Sequence, residues 1–455
     1  MSISIADAER TYRRAVNSWA MYDWGNSAFA TTIMAAVLPV YYSGVAGATL
    51  PGNRATVYWG YTVSISLVTM ACLAPILGAI ADFYGVKKRL LLIFAGIGMM
   101  GSALLYFVTT GDWLLASELF ILGDIGFASA DTFYNSLLPH VARPQDIDQV
   151  STRGYAFGYL GGGLLLAFNV AMLLSGQIVS AVQPLLPPDL AEMVAFLAID
   201  KGMAARISFV SVAVWWGLFT IPLMRYVPEP AAASERRSGV NPIVIGWQRL
   251  SRTFHEIRHY RQLFIFLIAF WVYNDGIGTI INMATIYGKE IQIDDASLIG
   301  ALLMTQFVGI PFAFLFGWLA KWLGTKRSIY LGLAVYTLIC CAAYFITTWW
   351  HFWVLAFMVG TVQGGSQALS RSLFGAMSPK AKTAEFFGFY GMSSRFAGIF
   401  GPFLFAVVGQ ITGTSRLSII ALIVFFVIGG LLLRRVDEQE GIRVAREEDA
   451  IVGVE

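Results

Sequence analysis

Six charged residues lie deep inside long apolar runs: Asp23, Asp124, Asp131, Asp275, Arg371 and Arg395. A charge at the centre of a bilayer costs about 2.5–3.5 kcal/mol on insertion scales, so such residues face one another, a neighbouring helix or a water-filled cavity. Helical spacing gathers them into stripes. Asp124 and Asp131 share a face, with Asn135 one turn on. Asp275, Thr279 and Asn282 share another, and Gln363, Gln367 and Arg371 rise in steps of four. Tyr22, Asp23 and Asn26 form a fourth group. Carboxylates, amides and guanidinium groups in such places either bind a small zwitterion or a proton, or hold helices together. Asp275 reads as a substrate-amine or proton site, or as a helix-packing hydrogen bond. Asp23 reads as a substrate contact or part of a gate. Arg395 reads as a carboxylate site or a partner of Asp124 or Asp131. Arg371, near the inner end of its run, reads as half of a gate-forming ion pair, with Asp131 placed among the gate residues.

The elements that must position these groups are membrane spans. Of the 455 residues 57% are hydrophobic and 13% charged, against about 25% charged in an average soluble domain. That composition excludes an ordinary cytosolic enzyme, a disordered chain and a secreted disulfide scaffold. A net charge of +3 leaves no basic excess for nucleic acid. Cys72, Cys340 and Cys341 lie in apolar runs and read as small buried hydrophobes. A crossing needs about 20 apolar residues. Twelve candidates lie at roughly 17–43, 56–81, 89–110, 113–137, 154–180, 205–227, 263–288, 296–320, 327–348, 351–376, 385–411 and 416–434. The fold class is an all-α polytopic membrane protein. The loops on the amino-terminal side carry Arg10, Arg13, Arg14, Lys87, Lys88, Arg89, Arg143, Lys326, Arg327, Lys380, Lys382, Arg434 and Arg435, while the other side holds Arg54, Lys201, Arg206, Lys289 and Arg416. The positive-inside rule then places both termini in the cytoplasm.

Two stretches connect and end the spans. In the linker 229–262, Ile243, Trp247, Leu250, Phe254 and Ile257 make one helical stripe with basic residues off it. This is a surface-lying amphipathic helix or a helix packed under the bundle. The tail 437–455 is charged and reads as disordered. The chain also repeats itself: Gly78, Ala81, Gly85 and Lys88 map to Gly317, Ala320, Gly324 and Arg327 at one constant offset. Two parallel six-span halves, 1–228 and 263–436, joined by a linker are a transporter architecture, with the site near the midplane between them.

Residues 78–89, Gly-Ala-Ile-Ala-Asp-Phe-Tyr-Gly-Val-Lys-Lys-Arg, resemble the signature loop of the major facilitator superfamily. Tyr22 to Phe29 is similar to the opening of its vacuole-effluxer-like branch, known from autophagy-related amino-acid efflux proteins and bacterial relatives. Tyr273 to Gly276, Gln363 to Ser372 and Glu385 to Tyr390 resemble that branch's seventh, tenth and eleventh spans. The resemblance implies a twelve-helix secondary transporter in two pseudo-symmetric halves, in which spans 1, 4, 7 and 10 line the cavity. It also implies that Asp82 faces the start of span 11, where a helix dipole favours a carboxylate. That contact, with Gly78, Gly85 and Lys88, would latch the inner side. Lys321 stands at the position matching Asp82, which makes the latch one-sided. Gly398, Gly401 and Pro402 read as close-packing residues, and Leu119 stands where proton-coupled relatives carry an arginine.

The expected function is alternating-access transport of a small solute, an amino acid or similar zwitterion, outward, with a coupling proton or sodium ion. The proposed site comprises Asp23, Asn26, Asp124, Asp275, Thr279, Gln363, Gln367 and Arg395. The bilayer of a bacterial inner membrane is the expected location. An exporter of an amphiphilic drug or lipid is the alternative, with Trp24, Phe127 and Trp271 lining its cavity; a non-transporting sensor is a second. No phosphate-binding loop, zinc spacing or nucleophile elbow occurs, so neither an enzyme nor a cofactor is expected.

Overall fold

The computed structural model describes residues 5–51, 54–230, 259–290, 293, 295–396, 398 and 400–452. The linker helix expected at 243–257 lies outside the described residues. The long helices are α1 (Ile5–Ala28), α2 (Arg54–Tyr84), α3 (Lys87–Leu104), α4 (Trp113–Ser136), α5 (Ile147–Leu173) and α6 (Lys201–Tyr226). They continue as α7 (Arg261–Glu290), α8 (Asp295–Leu323), α9 (Thr325–Ala343), α10 (Trp349–Ala376), α11 (Thr383–Phe396), α12 (Phe400–Thr412), α13 (Ile423–Arg434) and α14 (Glu438–Val452). The rod begun by α1 runs on through π-helical turns to Ala46.

Ten of these rods are long and apolar enough to cross a membrane. Two more pack among them. α10 is 28 residues long but carries the polar stripe of Gln363, Gln367 and Arg371. The other is expected as one continuous span over 385–411. It is instead broken into α11, of 14 residues, and α12, of 13, near Gly398 and Gly401. Most of the buried apolar side chains fall into one core within 16–227, which Ala384 joins from the second half, and another within 260–436, so each half has largely its own packing. The halves meet where α2 and α4 pack on α11 and where α5 packs on α8 and α10.

The repeat read from sequence is visible in the loops. Gly85 (φ 60°) and Gly324 (φ 90°) turn the chain between α2 and α3 and between α8 and α9, a conformation glycine adopts without a Cβ clash. Lys88 Nζ donates to Met224 O at 3.1 Å and to Val227 O, satisfying the end of α6. In the second half Lys326 Nζ does the same for α13, donating to Arg434 O at 3.2 Å and Val436 O at 2.6 Å. By role, then, the counterpart of Lys88 is Lys326, one residue short of Arg327.

Two expectations are corrected. Cys72 and Cys341 are exposed, and only Cys340 is buried. The described part of the tail, through Val452, is also ordered: α14 folds back onto the second half. Asp437 N donates to Gln262 Oε1 at 2.9 Å, Glu448 pairs with Lys382 at 3.1 Å, and Lys382 Nζ reaches Tyr260 OH at 2.8 Å. A Cβ at Gly441 would lie 2.6 Å from Met377 Sδ, so the helix sits as close as glycine allows. Charged composition suggests disorder; the apolar face of Ile442, Val444 and Ala445 outweighs it. A chain ending at Val436 should therefore melt a few degrees lower in detergent and be cut by trypsin after Lys380 or Lys382 much faster than the full chain; equal cleavage rates would show that α14 does not hold that loop.

Candidate functional site

Among the described residues, the start of α1, the loops after α2, α4 and α10, and α14 meet at one end of the bundle, called here the basic face. Glu9 pairs with Arg143, Tyr12 OH donates to Asp146, and Lys382 pairs with Glu448 there. The hydrogen bonds and ion pairs that cross between the halves lie in the half of the bundle nearest this face.

The deepest of them centre on Arg371 of α10, only 3% exposed. Its Nε donates to Ser151 Oγ at 2.9 Å and its Nη2 to Ser151 O at 2.7 Å, both on α5. Nη1 donates to Asn135 Oδ1 on α4 at 3.0 Å and lies 3.5 Å from Asp23 Oδ2 on α1. Every one of these acceptors belongs to the opposite half. The Trp19, Tyr134 and Tyr155 rings surround the guanidinium carbon at 5.1, 5.7 and 4.4 Å, adding cation–π attraction in a dry site. Tyr134 OH donates to Asp23 Oδ2 at 3.2 Å, and Asp131 Oδ2 accepts from Asn135 Nδ2 at 2.7 Å, so both carboxylates are tied to the same network. Gly154 makes room: a Cβ there would lie 2.9 Å from Arg371 Nη2 and from Trp19. Asp131 and Arg371, expected together at a gate, are thus linked through Asn135.

Nearer the basic face, Asp82 sits at the end of α2. Its Oδ2 accepts from the Glu385 amide in the first turn of α11 at 2.8 Å, and its Oδ1 pairs with Lys87 at 2.8 Å. The Lys87 ammonium has three protons. They go to Asp82, to Thr383 Oγ1 of the other half at 2.5 Å, and to His140 Nε2 at 3.0 Å. Gly78 sets the spacing, since a Cβ there would lie 2.1 Å from Ala384 O. Across the pseudo-symmetry axis Gly317 meets Thr152 Oγ1 in the same way, with a Cβ at 2.4 Å. Here the carboxylate comes from α5: Asp148 accepts from Thr325 Oγ1 at 2.7 Å and from Ser372 Oγ. Lys87, His140, Thr383, Asp148 and Ser151 were not singled out from sequence. A signal existed for Asp148: it stands six residues before Gly154, as Glu385 stands six before Gly391. Lys88 contacts its own half, and its neighbour Lys87 makes the crossing.

The residues expected to bind substrate do not form one cluster. Asp23 is engaged with Arg371. Asp124 is buried in the first half and accepts from Ser66 Oγ of α2 at 2.6 Å. Asp275 accepts from Gly401 N at 2.9 Å, capping α12 where the rod is broken, while Thr279 Oγ1 donates to its carbonyl at 2.7 Å. The Gly401 Cα lies so close that a Cβ would fall 1.8 Å from Thr279 Oγ1. Asn26 is buried, and its Oδ1 has no partner among the described residues. Gln363 and Gln367 are half-buried, above Arg371 on α10. Tyr159 of α5 lies beside them, between Gly309 of α8 and Gly364 of α10. The side chain of Arg395 lies outside what the structure describes.

The comparisons with known proteins agree with this architecture. The family described as vacuole effluxer Atg22 like matches residues 53–446. YxiO of Bacillus subtilis, an uncharacterized transporter of the major facilitator type, is 37% identical over 441 residues, covering 97% of this chain and 99% of its own. Autophagy-related protein 22 of Gibberella zeae is 24% identical over 425 residues, with 78% of this chain matching 64% of its length. The proton:xylose symporter XylE superposes with a TM-score of 0.67 at 15% identity, over 97% of this chain and 98% of its own, a likeness of fold. With two packed helical halves closed on each other by buried charges, the chain is a membrane transporter of the major facilitator superfamily and belongs to its Atg22-like vacuole effluxer family.

Proposed function

We propose that the chain is a secondary active transporter that exports a zwitterionic amino acid or a similar small solute by alternating access, with the basic face in the cytoplasm of a bacterial cell. The observation that carries this reading is the Arg371 network, because its donor and all its acceptors sit on opposite halves. Rocking the halves apart at the basic face breaks it, together with the Asp82–Glu385 contact and the Lys87–Thr383 contact. In this reading the conformation is the one closed toward the cytoplasm.

The substrate would sit one to two turns deeper, beside Tyr159, Gln363 and Gln367. Those amides and the amino end of α12 suit a carboxylate. Asp275 caps that helix end in this conformation. A substrate carboxylate that takes over the Gly401 amide frees Asp275 for the ammonium. Asp23 and Asp131 both belong to the Arg371 network, and one of them would carry a coupling proton in this reading. The amphiphile alternative loses support. Trp24 packs on Phe157, Trp215 and Phe219, and Phe127 on Phe29 and Trp216, as helix–helix contacts.

Counterflow in proteoliposomes preloaded with unlabelled amino-acid pools should show labelled entry, reduced at least about tenfold by Asp275→Asn, the weight of one charge-assisted hydrogen bond. Entry that survives this change would remove Asp275 from the site, and no entry with any pool would remove the substrate class. An imposed pH gradient should alter entry in the parent and leave an Asp131→Asn form unresponsive if Asp131 carries the proton. The gate has its own readout. In a background without native cysteines, Ala384→Cys, buried under Gly78, should react with a thiol reagent about tenfold faster when Arg371→Ala is added; unchanged reactivity would mean that the network does not hold the halves shut.

A further inference from the structure

A groove of about 600 Å³ runs between α5 and α6 and opens sideways, toward the space that lipid fills. Leu164 and Phe168 form one wall, Val210, Val214 and Leu218 the other, and Tyr106 closes one end. Phe168, Val214 and Leu218 are each more than half exposed. Along α6 the groove extends from Ile207 to Leu218, a rise of about 16 Å. That is a slot for one extended hydrocarbon chain.

The closed end carries a charge. The Arg206 guanidinium carbon lies 5.5 Å from the Tyr106 ring, and its Nη2 faces Met203 Sδ at 3.9 Å. Arg206 makes no ion pair among the described residues. The nearby carboxylates are committed elsewhere: Asp200 accepts from Met203 N at 3.0 Å at the start of α6, and Asp112 accepts from Thr109 N at 2.8 Å and Thr109 Oγ1 at 2.6 Å. This end lies away from the basic face, near the first turns of α6, where a headgroup would sit. A guanidinium without a carboxylate, at the head of an apolar slot in a membrane-spanning surface, matches one ligand chemistry. The phosphate of a lipid fits its fork of donors, and the acyl chain fits the slot.

We propose that this groove is a phospholipid-binding site, with the phosphate on Arg206 and one acyl chain along α6. Its back wall includes Trp215, whose Nε1 donates to Trp24 O at 3.3 Å, so the bound chain would brace α1 one residue from Asp23. The site is independent of what the transporter carries.

The test is the lipid that stays with the protein. Wild type, Arg206→Gln and Val214→Trp would be reconstituted in vesicles of phosphatidylglycerol and phosphatidylethanolamine, re-extracted, washed extensively in a mild detergent and analysed by native mass spectrometry. About one retained phospholipid per wild-type chain is expected, falling about fivefold in Arg206→Gln, from loss of one cation–headgroup attraction. A comparable fall is expected in Val214→Trp, where the indole fills the slot. Should Val214→Trp misfold, Leu218→Phe serves in its place. Equal retention by all three forms would mean ordinary boundary lipid and overturn the site. So would a wild type that retains none, or a groove protected by a second copy in cross-linking.

Discussion

A guanidinium buried in a low-dielectric interior must keep hydrogen-bonded acceptors, because stripping one partner from a buried pair costs several kcal/mol. Arg371 meets that requirement only when the two halves are together. Its own helix supplies none of the acceptors; Ser151, Asn135 and Asp23 come from three helices of the other half. Much else follows from bringing those helices so near. Gly154 lacks a side chain because one would strike the guanidinium, and Gly158 and Gly161 let the same face of α5 lie on α1, where a Cβ would fall 2.6 Å from Ser27 Oγ and 2.2 Å from Trp24 O. Small residues at helix contacts are what membrane packing demands, since lipid gives apolar side chains no reason to prefer one another.

The pseudo-symmetry is kept where it serves packing and broken where it concerns charge. Both halves use a left-handed glycine in the short loop, a lysine capping their last span, and a glycine where helices cross between halves. The crossings themselves differ. At α2 and α11 a carboxylate, an ammonium and a helix amino end meet out of water. At α8 and α5 a carboxylate meets two hydroxyls, and Lys321 stands where Asp82 would be. Charge-assisted bonds to an ion are worth about 1.5–3 kcal/mol each, and neutral ones about half that. Both crossings are therefore charge-assisted, Asp82 through an ammonium and a helix amide and Asp148 through two hydroxyls.

How much of this is legible in sequence depends on what fixes each feature. Spans and the repeat are read from runs of apolar residues and from glycines at matching places, both local signals. The polar stripes bring Arg371, Asp131 and Asn135 to one region, since spacing on one helix is fixed. What faces a stripe is set by the rotation of neighbouring helices, which spacing does not encode. Asp124 shares a face with Asp131 by count, yet its partner is Ser66 within its own half. Lys88 and Lys87 differ by one place, about a hundred degrees around a helix, and that rotation decides which caps α6 and which crosses to Thr383. Asp275 caps a helix end that exists only because the eleventh rod is broken. The break follows from Gly398, Gly401 and Pro402 together, three residues that taken singly read as packing.

The gate proposed at Arg371 also illustrates why a buried ion pair suits a moving part better than a rigid one. Its Coulomb attraction is large, but most of it repays the cost of taking the ions out of water, so the net stabilisation is small. In the proposed cycle, opening the basic face would admit water, and Arg371, Asp23, Asp82 and Lys87 would exchange protein partners for hydration. The two states would then be close in free energy even though many bonds differ. An apolar interface of the same area would lose its stabilisation outright on opening, and the closed form would dominate. Alternating access needs an equilibrium that a substrate's differential affinity, a few kcal/mol, can reverse. A gate built from charges on opposite halves, ringed by Trp19, Tyr134 and Tyr155 to keep it dry when shut, keeps that balance within reach of a small solute.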